Sequence, residues 1–225
     1  SRTDQEGRQL GLEIESIGGK RQPPRTPRQD ADKIVACLEL HIEQADRLET
    51  NQTDIGVVTD IPGISRYAIK VMGRAGHSGT TRMPDRQDAL VAASEVITTA
   101  QDTGIAIAEQ DNKHFVATIG RIDVYPNGAA TVPGEVNMVL DLRASHEHSR
   151  DEFLKQLQTK CMLISKNRSC KIEMELISNA SVAVMDNELR QRLSHAANSL
   201  NLSHIDLSSG AGPVSYTHLT LPTSG

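Results

Sequence analysis

The chain has 225 residues, of which 29 are acidic and 24 are lysine or arginine, giving a formal net charge of −5. This negative balance opposes binding to a polyphosphate, and an aromatic content of 2% leaves little material for stacking against bases, so we expect no nucleic-acid partner. No run approaches the ~18 apolar residues of a membrane helix, and the N-terminal residues lack an apolar signal core, so we expect a cytoplasmic protein with no membrane partner.

The first predicted elements are a linker and a strand. Gly18 to Asp32 (GGKRQPPRTPRQDAD) is rich in proline and basic residues, which favours a solvated connector over a phosphate-binding patch. Val35 to Gln44 (VACLELHIEQ) alternates apolar Leu38, Leu40 and Ile42 with polar neighbours. A period of two over that length predicts a strand with one buried and one polar face.

A regular succession of strands and helices follows between Ile64 and Ile177. Alternation predicts a strand through Tyr67, Ile69 and Val71, which the glycines of GRAGHSG then end. The next helix is predicted to begin at Pro84 and Asp85, to close near Gly104 and to carry an apolar stripe, namely Ala89, Ala93, Val96 and Ala100. The remaining predicted elements are two strands, a helix and a last strand: Phe115 to Val124, Val136 to Arg143, a helix with Leu154, Leu157, Cys161 and Ile164 on one stripe, and a strand with Ile172, Met174 and Leu176.

This order of strand, helix, strand, strand, helix, strand is the split β-α-β arrangement. It predicts a four-stranded antiparallel sheet with both helices on one face. A further helix is predicted to start at Asp186, a suitable N-cap, outside this unit. We therefore predict a middle domain inserted into a second domain, whose pieces lie before Ile61 and after Asn179.

Few residues stand out as candidates for chemistry. His41 lies between Glu39 and Glu43; such a histidine is more often a surface or hydrogen-bonded residue than a metal ligand, although neutral imidazole suits Zn²⁺ or Mn²⁺. His77, in the glycine-flanked turn GHSG, is either a loop residue without a role or a donor to a developing oxyanion. Arg143 is either a surface ion-pair partner or a bidentate clamp for a substrate carboxylate.

Seven segments give the chain a recognisable order: ELHIEQ (39–44), GVVT (56–59), GRAGHSGTTRM (73–83), RQDALVA (86–92), TIG (118–120), PGE (133–135) and LDLR (140–143). Together they resemble the amidohydrolase branch of the aminoacylase and glutamate-carboxypeptidase metallopeptidase family. That branch holds allantoate amidohydrolase, N-carbamoyl-L-amino-acid hydrolase and β-ureidopropionase. The resemblance covers roughly Gly7 to Gly212.

The resemblance implies an α/β fold and a set of roles. It implies a catalytic domain with two divalent metal ions (Zn or Mn), interrupted by a ferredoxin-like βαββαβ lid that also forms a homodimer. His41 would be a metal ligand and Gln44 a substrate contact, while His77 would stabilise the tetrahedral oxyanion. Arg143 would bind the carboxylate of a small-molecule substrate. The corresponding segments are 1–61 as a catalytic-domain fragment, 62–178 as the lid, 179–212 as the catalytic-domain return and 213–225 as a non-native tail.

The sequence also departs from the family pattern. The H-x-D ligands, a later Asp and a Glu-Glu pair with the general base are absent, and Pro213 stands where the last histidine ligand is expected. Val214 to Thr223 (VSYTHLTLPT) is similar to a translated sequencing adaptor of a transposon end, so we expect the tail with His218 to be non-native. The usual Asn before the V-x-P-G turn is Ala130 here, which weakens the expected carboxylate pocket.

The resulting prediction is a metal-dependent hydrolase of linear ureido or amide C–N bonds, acting on N-carbamoyl amino acids or allantoate-like substrates and present as an incomplete, inactive fragment. Two alternatives stay open: a non-catalytic dimerisation module, and a peptidase or aminoacylase of the same family. The hydrolase interpretation expects the His41 ring to face inward from a strand; a ring in open solvent would leave only an architectural role.

Overall fold

The computed structural model describes residues 35–111 and 114–210, together with isolated positions between residues 8 and 18. The chain forms two units, Ser1–Leu40 and His41–Gly225. Apart from Gly18, the predicted linker lies outside the described residues, as does the predicted tail. All the helices and strands considered below belong to the second unit.

The elements of the second unit follow one another in a mixed order of helices and strands. They are α1 (Arg47–Thr50), β1 (Ile55–Ile61), β2 (Gly63–Met72), β3 (Gly76–His77), a 3-10 helix (Met83–Asp85), α2 (Ala89–Gln110), β4 (Phe115–Tyr125), β5 (Thr131–Val132), β6 (Glu135–Ala144), α3 (Glu147–Arg168), β7 (Lys171–Ala180), β8 (Ala183–Val184), α4 (Asn187–Ser199) and β9 (His204–Ser208). Within the residues that the structure describes, no helix has the length and apolar character needed to span a bilayer.

A four-stranded antiparallel sheet forms the larger part of the fold. Its strand order is β4-β6-β2-β7, and the chain visits its elements in the order β2, α2, β4, β6, α3, β7. We call residues 63–180 the βαββαβ unit. This topology confirms the α/β class and the split β-α-β arrangement predicted from the order of sequence patterns.

The core of the βαββαβ unit lies between one face of the sheet and the two long helices. Strand β6 supplies every second side chain to it, and Val136, Leu140 and Leu142 are fully buried. The predicted apolar stripe of α2 is buried there as well. On α3 the fully buried side chains are Phe153 and Leu157. Alternation and helical spacing therefore predicted the buried faces of β6 and α2 correctly.

On α3 the predicted Leu157, Cys161 and Ile164 are buried, but Phe153 takes the place of the predicted Leu154, which is only partly buried. On β7 the predicted Leu176 is exposed.

The ends of α2 differ from the prediction. Pro84 and Asp85 form the preceding 3-10 helix, and α2 begins after Asp88, whose carboxylate accepts hydrogen bonds from the backbone N–H groups of the second and third helical residues. The helix passes through Gly104 and ends at Gln110. A Cβ at Gly104 would lie 3.6 Å from the Cβ of Ala117, so this glycine stands where the helix packs against β4 and does not end the helix.

A second, three-stranded sheet has the order β8-β1-β9. Strand β9 runs parallel to β1, β8 runs antiparallel to it, and α4 packs against this sheet. The predicted N-cap of α4 is confirmed, because the carboxylate of Asp186 accepts the backbone N–H of Leu189 at 2.8 Å. Pro62 alone separates β1 from β2, so the two sheets are joined by very short connections.

The strand predicted for residues 35–44 is not formed. The segment has no regular structure and pairs with no other strand among the described residues. In the first unit the side chain of Leu40 is fully exposed, and in the second unit that of Ile42 is 76% exposed. A period of two becomes a strand only where a neighbour takes the backbone hydrogen bonds and a core covers the apolar side chains, and the described structure provides neither here.

Candidate functional site

The loop that carries His77 is anchored to β5. Strand β3 pairs with β5 through Gly76 opposite Val132 and His77 opposite Thr131. The pairing continues past the strand, because the backbone N–H of Ser78 donates to the carbonyl of Ala130 at 2.9 Å. The His77 side chain itself is exposed. The loop therefore presents an imidazole to solvent beside position 130.

The hydrogen bond of the His77 ring defines its neutral tautomer. Nδ1 of His77 lies 3.1 Å from the backbone nitrogen of Gly79 and is the acceptor in that contact. A backbone N–H can only donate, so Nδ1 carries no proton and the proton of the neutral ring lies on Nε2. The ring thus offers an N–H donor at its outer nitrogen, which is the group that stabilisation of an oxyanion requires.

Arg143 lies on β6, on the sheet face opposite the two long helices. Its Nε donates to Asp141 at 2.8 Å, and Asp141 also accepts from Arg66 at 2.9 Å. Its Nη1 donates to the backbone carbonyl of Gly210 at 3.0 Å. The guanidinium therefore already binds one carboxylate and one carbonyl, which shows that the ion-pair interpretation of Arg143 holds in this structure.

His41 and Gln44 lie in the irregular segment before α1. The His41 ring is exposed, and its Nδ1 is 2.6 Å from the carbonyl of Ile42, which makes Nδ1 the protonated nitrogen. Gln44 is exposed with a φ of 58°. The carboxylate of Glu43 accepts from the first backbone N–H groups of α1 and is not directed to His41. The expectation that the His41 ring faces inward is therefore not met in this structure.

The four predicted site residues do not form one cluster. No hydrogen bond or ion pair joins any two of His41, Gln44, His77 and Arg143 in the described part of the chain. Across the same residues, no group of three or more His, Cys, Asp or Glu side chains is arranged to hold a metal ion. The residues described here do not fit a dinuclear metal centre, and Pro213, where the last ligand was expected, lies outside them.

The structure brings together a polar junction that sequence reasoning missed. The carboxylate of Asp60 is buried and accepts from Thr59 Oγ1 at 2.6 Å and from Ser208 Oγ at 2.8 Å. The Oγ of Ser208 also lies 2.9 Å from the Oγ of Ser145, the residue that follows β6. These hydrogen bonds connect the three-stranded sheet to the βαββαβ unit. The only sequence signal was a lone Asp near the end of the otherwise mostly apolar strand β1.

His114 lines the cleft beside this junction. The cleft has a volume of about 500 Å³ and is bordered by Arg47, Thr59 and Ser208 among others. The Nε2 of His114 is buried and has no hydrogen-bond partner among the described residues. Burial is the main cause that lowers the pKa of His114 below its usual 6.5, and the positive charges of Arg47 and Arg143 lower it further. The neutral form of His114 is therefore favoured.

Comparison with known proteins finds a matching domain model and homologous enzymes. Residues 60–168 match the protein-family model described as "Peptidase dimerisation domain". The N-carbamoyl-L-amino-acid amidohydrolase of Paenarthrobacter aurescens is 34% identical over 94% of this chain and 50% of that protein. The allantoate amidohydrolase of Escherichia coli K12 is 32% identical over 84% of this chain and 44% of that protein.

A solved structure is also similar to this chain. The amidase of the hydantoinase/carbamoylase family from Burkholderia multivorans superposes with a TM-score of 0.74 at 30% identity, covering 94% of this chain and 50% of that one. The chain spans about half the length of the curated relatives it matches. The chain is homologous to the N-carbamoyl-L-amino-acid and allantoate amidohydrolases, and its residues 60–168 match a peptidase dimerisation domain.

Proposed function

We propose that the chain is part of a metal-dependent hydrolase that cleaves linear ureido or amide C–N bonds in N-carbamoyl amino acids or allantoate-like substrates. Relatives named for such reactions support the reaction class. The observation of the structure that best supports it is the His77 ring, whose Nδ1 accepts from Gly79 and leaves Nε2–H as a donor. A donor on an exposed loop tip suits an oxyanion that develops on a bound carbonyl.

The other site residues receive roles in the same proposal. Arg143 binds the substrate carboxylate, which would replace the carbonyl of Gly210 as acceptor from Nη1 with a stronger, charge-assisted bond. In a protein extended to the length of its relatives, Gln44 contacts the substrate. There the His41 ring, which is exposed in this structure, would turn inward to supply one ligand to a site of two divalent ions (Zn or Mn). The remaining ligands are assigned to parts of the relatives that this chain does not span.

Replacement of His77 tests the central role. In a protein extended to the length of its relatives, we expect H77A to lower kcat for N-carbamoyl-amino-acid hydrolysis by about 10² to 10³, the usual cost of losing one oxyanion donor. The matched control is H148A, which removes an exposed histidine of α3. An unchanged kcat in H77A would remove His77 from the mechanism.

The 225-residue chain by itself is proposed to be inactive, because its described residues supply no set of metal ligands. Purified chain should hold less than stoichiometric zinc or manganese and should not hydrolyse N-carbamoyl amino acids or allantoate when either metal is added. Elemental analysis and ammonia release measure the two properties. Stoichiometric metal accompanied by turnover would contradict the proposal.

A homodimer formed through the βαββαβ unit is a further part of the proposal. The dimerisation-domain match over residues 60–168 supports it. Light scattering after gel filtration should give the mass of two chains, whereas a monomer at micromolar concentration would contradict it. We also propose a cytoplasmic location, which cell fractionation tests.

A non-catalytic dimerisation module is the second candidate function. The exposed ring of His41 and the lack of a metal-ligand cluster in the described residues favour it. The flanking coding sequence separates the candidates: H-x-D and Glu-Glu upstream with G-A-G-H downstream support the hydrolase, and their replacement supports the module. A peptidase or aminoacylase differs in the pocket near Ala130, and a panel of N-carbamoyl, N-acyl and peptide substrates distinguishes it.

A further inference from the structure

We propose that Arg86 is a positioning residue that fixes the His77 loop by binding two of its backbone carbonyls. Its Nε donates to the carbonyl of Thr81 at 3.1 Å, and its Nη2 donates to the carbonyl of Ser78 at 2.6 Å. One guanidinium thus spans the turn that follows His77. The inference rests on the proposed function only for its kinetic consequence, since the contacts themselves are structural.

The loop has few other internal contacts that could replace Arg86. The backbone N–H of Thr81 donates to the carbonyl of His77 at 3.0 Å, which gives that carbonyl a hydrogen-bond donor and closes the turn. The carbonyls of Ser78 and Thr81 both accept from the same guanidinium. Arg86 reaches the two carbonyls from two different nitrogens held in one rigid plane, whereas a lysine ammonium would have to donate to both from a single nitrogen on a flexible stem.

Arg86 is itself held between two rigid elements. It directly follows the 3-10 helix, and its side chain is partly buried. The next residue, Gln87, accepts the backbone N–H of Arg74 at 2.8 Å, just beyond the end of β2. At Gly73 a Cβ would stand 2.0 Å from the carbonyl oxygen of Gln87, so only glycine permits this approach. Arg86 therefore connects the loop to the ends of β2 and α2.

The consequence for His77 follows from where the Gly79 amide lies. Gly79 donates to Nδ1 of His77 and stands between Ser78 and Thr81, the two residues whose carbonyls Arg86 holds. Loss of the guanidinium would release both carbonyls, so the Gly79 N–H would no longer point steadily at Nδ1. The neutral His77 ring would then populate both tautomers, and its Nε2–H donor would be present and aligned only part of the time.

The first experiment observes the ring directly in the 225-residue chain. Long-range ¹H–¹⁵N NMR of ¹⁵N-histidine-labelled protein reports which ring nitrogen of His77 carries the proton. We expect the Nε2–H form in the unchanged chain and in R82A, because Arg82 is exposed and pairs with Asp85 instead of the loop carbonyls. We expect a mixture of tautomers in R86A and R86K. An unchanged Nε2–H signal in both Arg86 variants would overturn the proposal.

The second experiment measures kcat and KM separately in the protein extended to the length of its relatives. R86A should lower kcat by about 10- to 100-fold with KM little changed, R86K should recover only part of the loss, and R82A should match the unchanged protein. Because Arg86 acts through His77, R86A should add nothing to H77A. A full additional loss in the double variant would overturn the proposal.

The two readouts separate this inference from the proposed function. If H77A leaves kcat unchanged, the catalytic role of His77 fails, and the NMR signal alone decides whether Arg86 positions the loop. If R86A does not fold, as judged by far-UV circular dichroism, R86K and R86Q replace it in both measurements. Wild-type kcat in R86K together with an unchanged tautomer would then count against the proposal.

Discussion

The two phenylalanines of the chain meet in the core, and their removal gives the sharpest test of the packing. Phe115 and Phe153 have ring centroids 5.6 Å apart and a tilt of 54°, and Phe153 is fully buried. We expect F153A to lower the free energy of unfolding by about 3 to 5 kcal/mol, because the side chain's burial is lost and a cavity remains. About 0.5 to 1.5 kcal/mol of that loss belongs to the ring pair.

Urea unfolding followed by far-UV circular dichroism measures the loss, since the chain has no tryptophan to report fluorescence. F153L keeps most of the buried volume, so it should lose less than about 1.5 kcal/mol. M162A is the control on the same helix; Met162 is exposed, and its replacement should change stability by less than about 0.5 kcal/mol. A loss below about 1 kcal/mol in F153A would refute the packing described here.

Three further predictions concern a helix cap, a thiol and a histidine. D88A should lose about 1 kcal/mol of stability in thermal melts and D88N only a few tenths, because Asn keeps an acceptor for the first N–H groups of α2; equal losses would contradict this cap. Burial raises the pKa of Cys161 to about 11, so iodoacetamide at pH 8 should modify exposed Cys37 and spare Cys161, as read by mass spectrometry. The pKa of His114 is lower in the folded chain than its ordinary 6.5, so the unfolded state binds the proton first and stability should fall as pH drops below about 6.5. Urea titrations should find this fall reduced in H114Q, and an identical fall in H114Q would contradict it.

The spacing of apolar residues predicted most of the fold because each strand or helix buries one face, and the burial of that face sets the spacing. Strand β6 is an example: Val136 to Arg143 was predicted from alternation, and the strand runs from Glu135 to Ala144 with every second residue buried. The helix ends were less accurate, since α2 was predicted to begin at Pro84 and Asp85, whereas its N-cap is Asp88. Only the hydrogen bonds of the folded chain assign the role to Asp88.

The site was less predictable because its contacts depend on the folded loop and on strand pairing, and no sequence repeat marks them. Arg86 and Ser78 are eight residues apart, and no periodicity marks a guanidinium that holds a loop carbonyl. Asp60 and Ser208 are 148 residues apart, and their contact requires β1 and β9 to pair first. The segment around His41 shows the opposite error, since its pattern is that of a strand but no described strand pairs with it.

The two chain crossings between the sheets lie side by side. Ile64 pairs with Ala180 in the βαββαβ unit, and Ile61 pairs with Ala183 immediately beyond it. The chain therefore enters and leaves the unit through two hydrogen-bonded neighbours, as at the open end of a long hairpin. Because the two ends of the unit are adjacent, a tight turn could join the strands left behind if the unit were removed. The removed unit could in turn be inserted into another protein between two adjacent antiparallel strands.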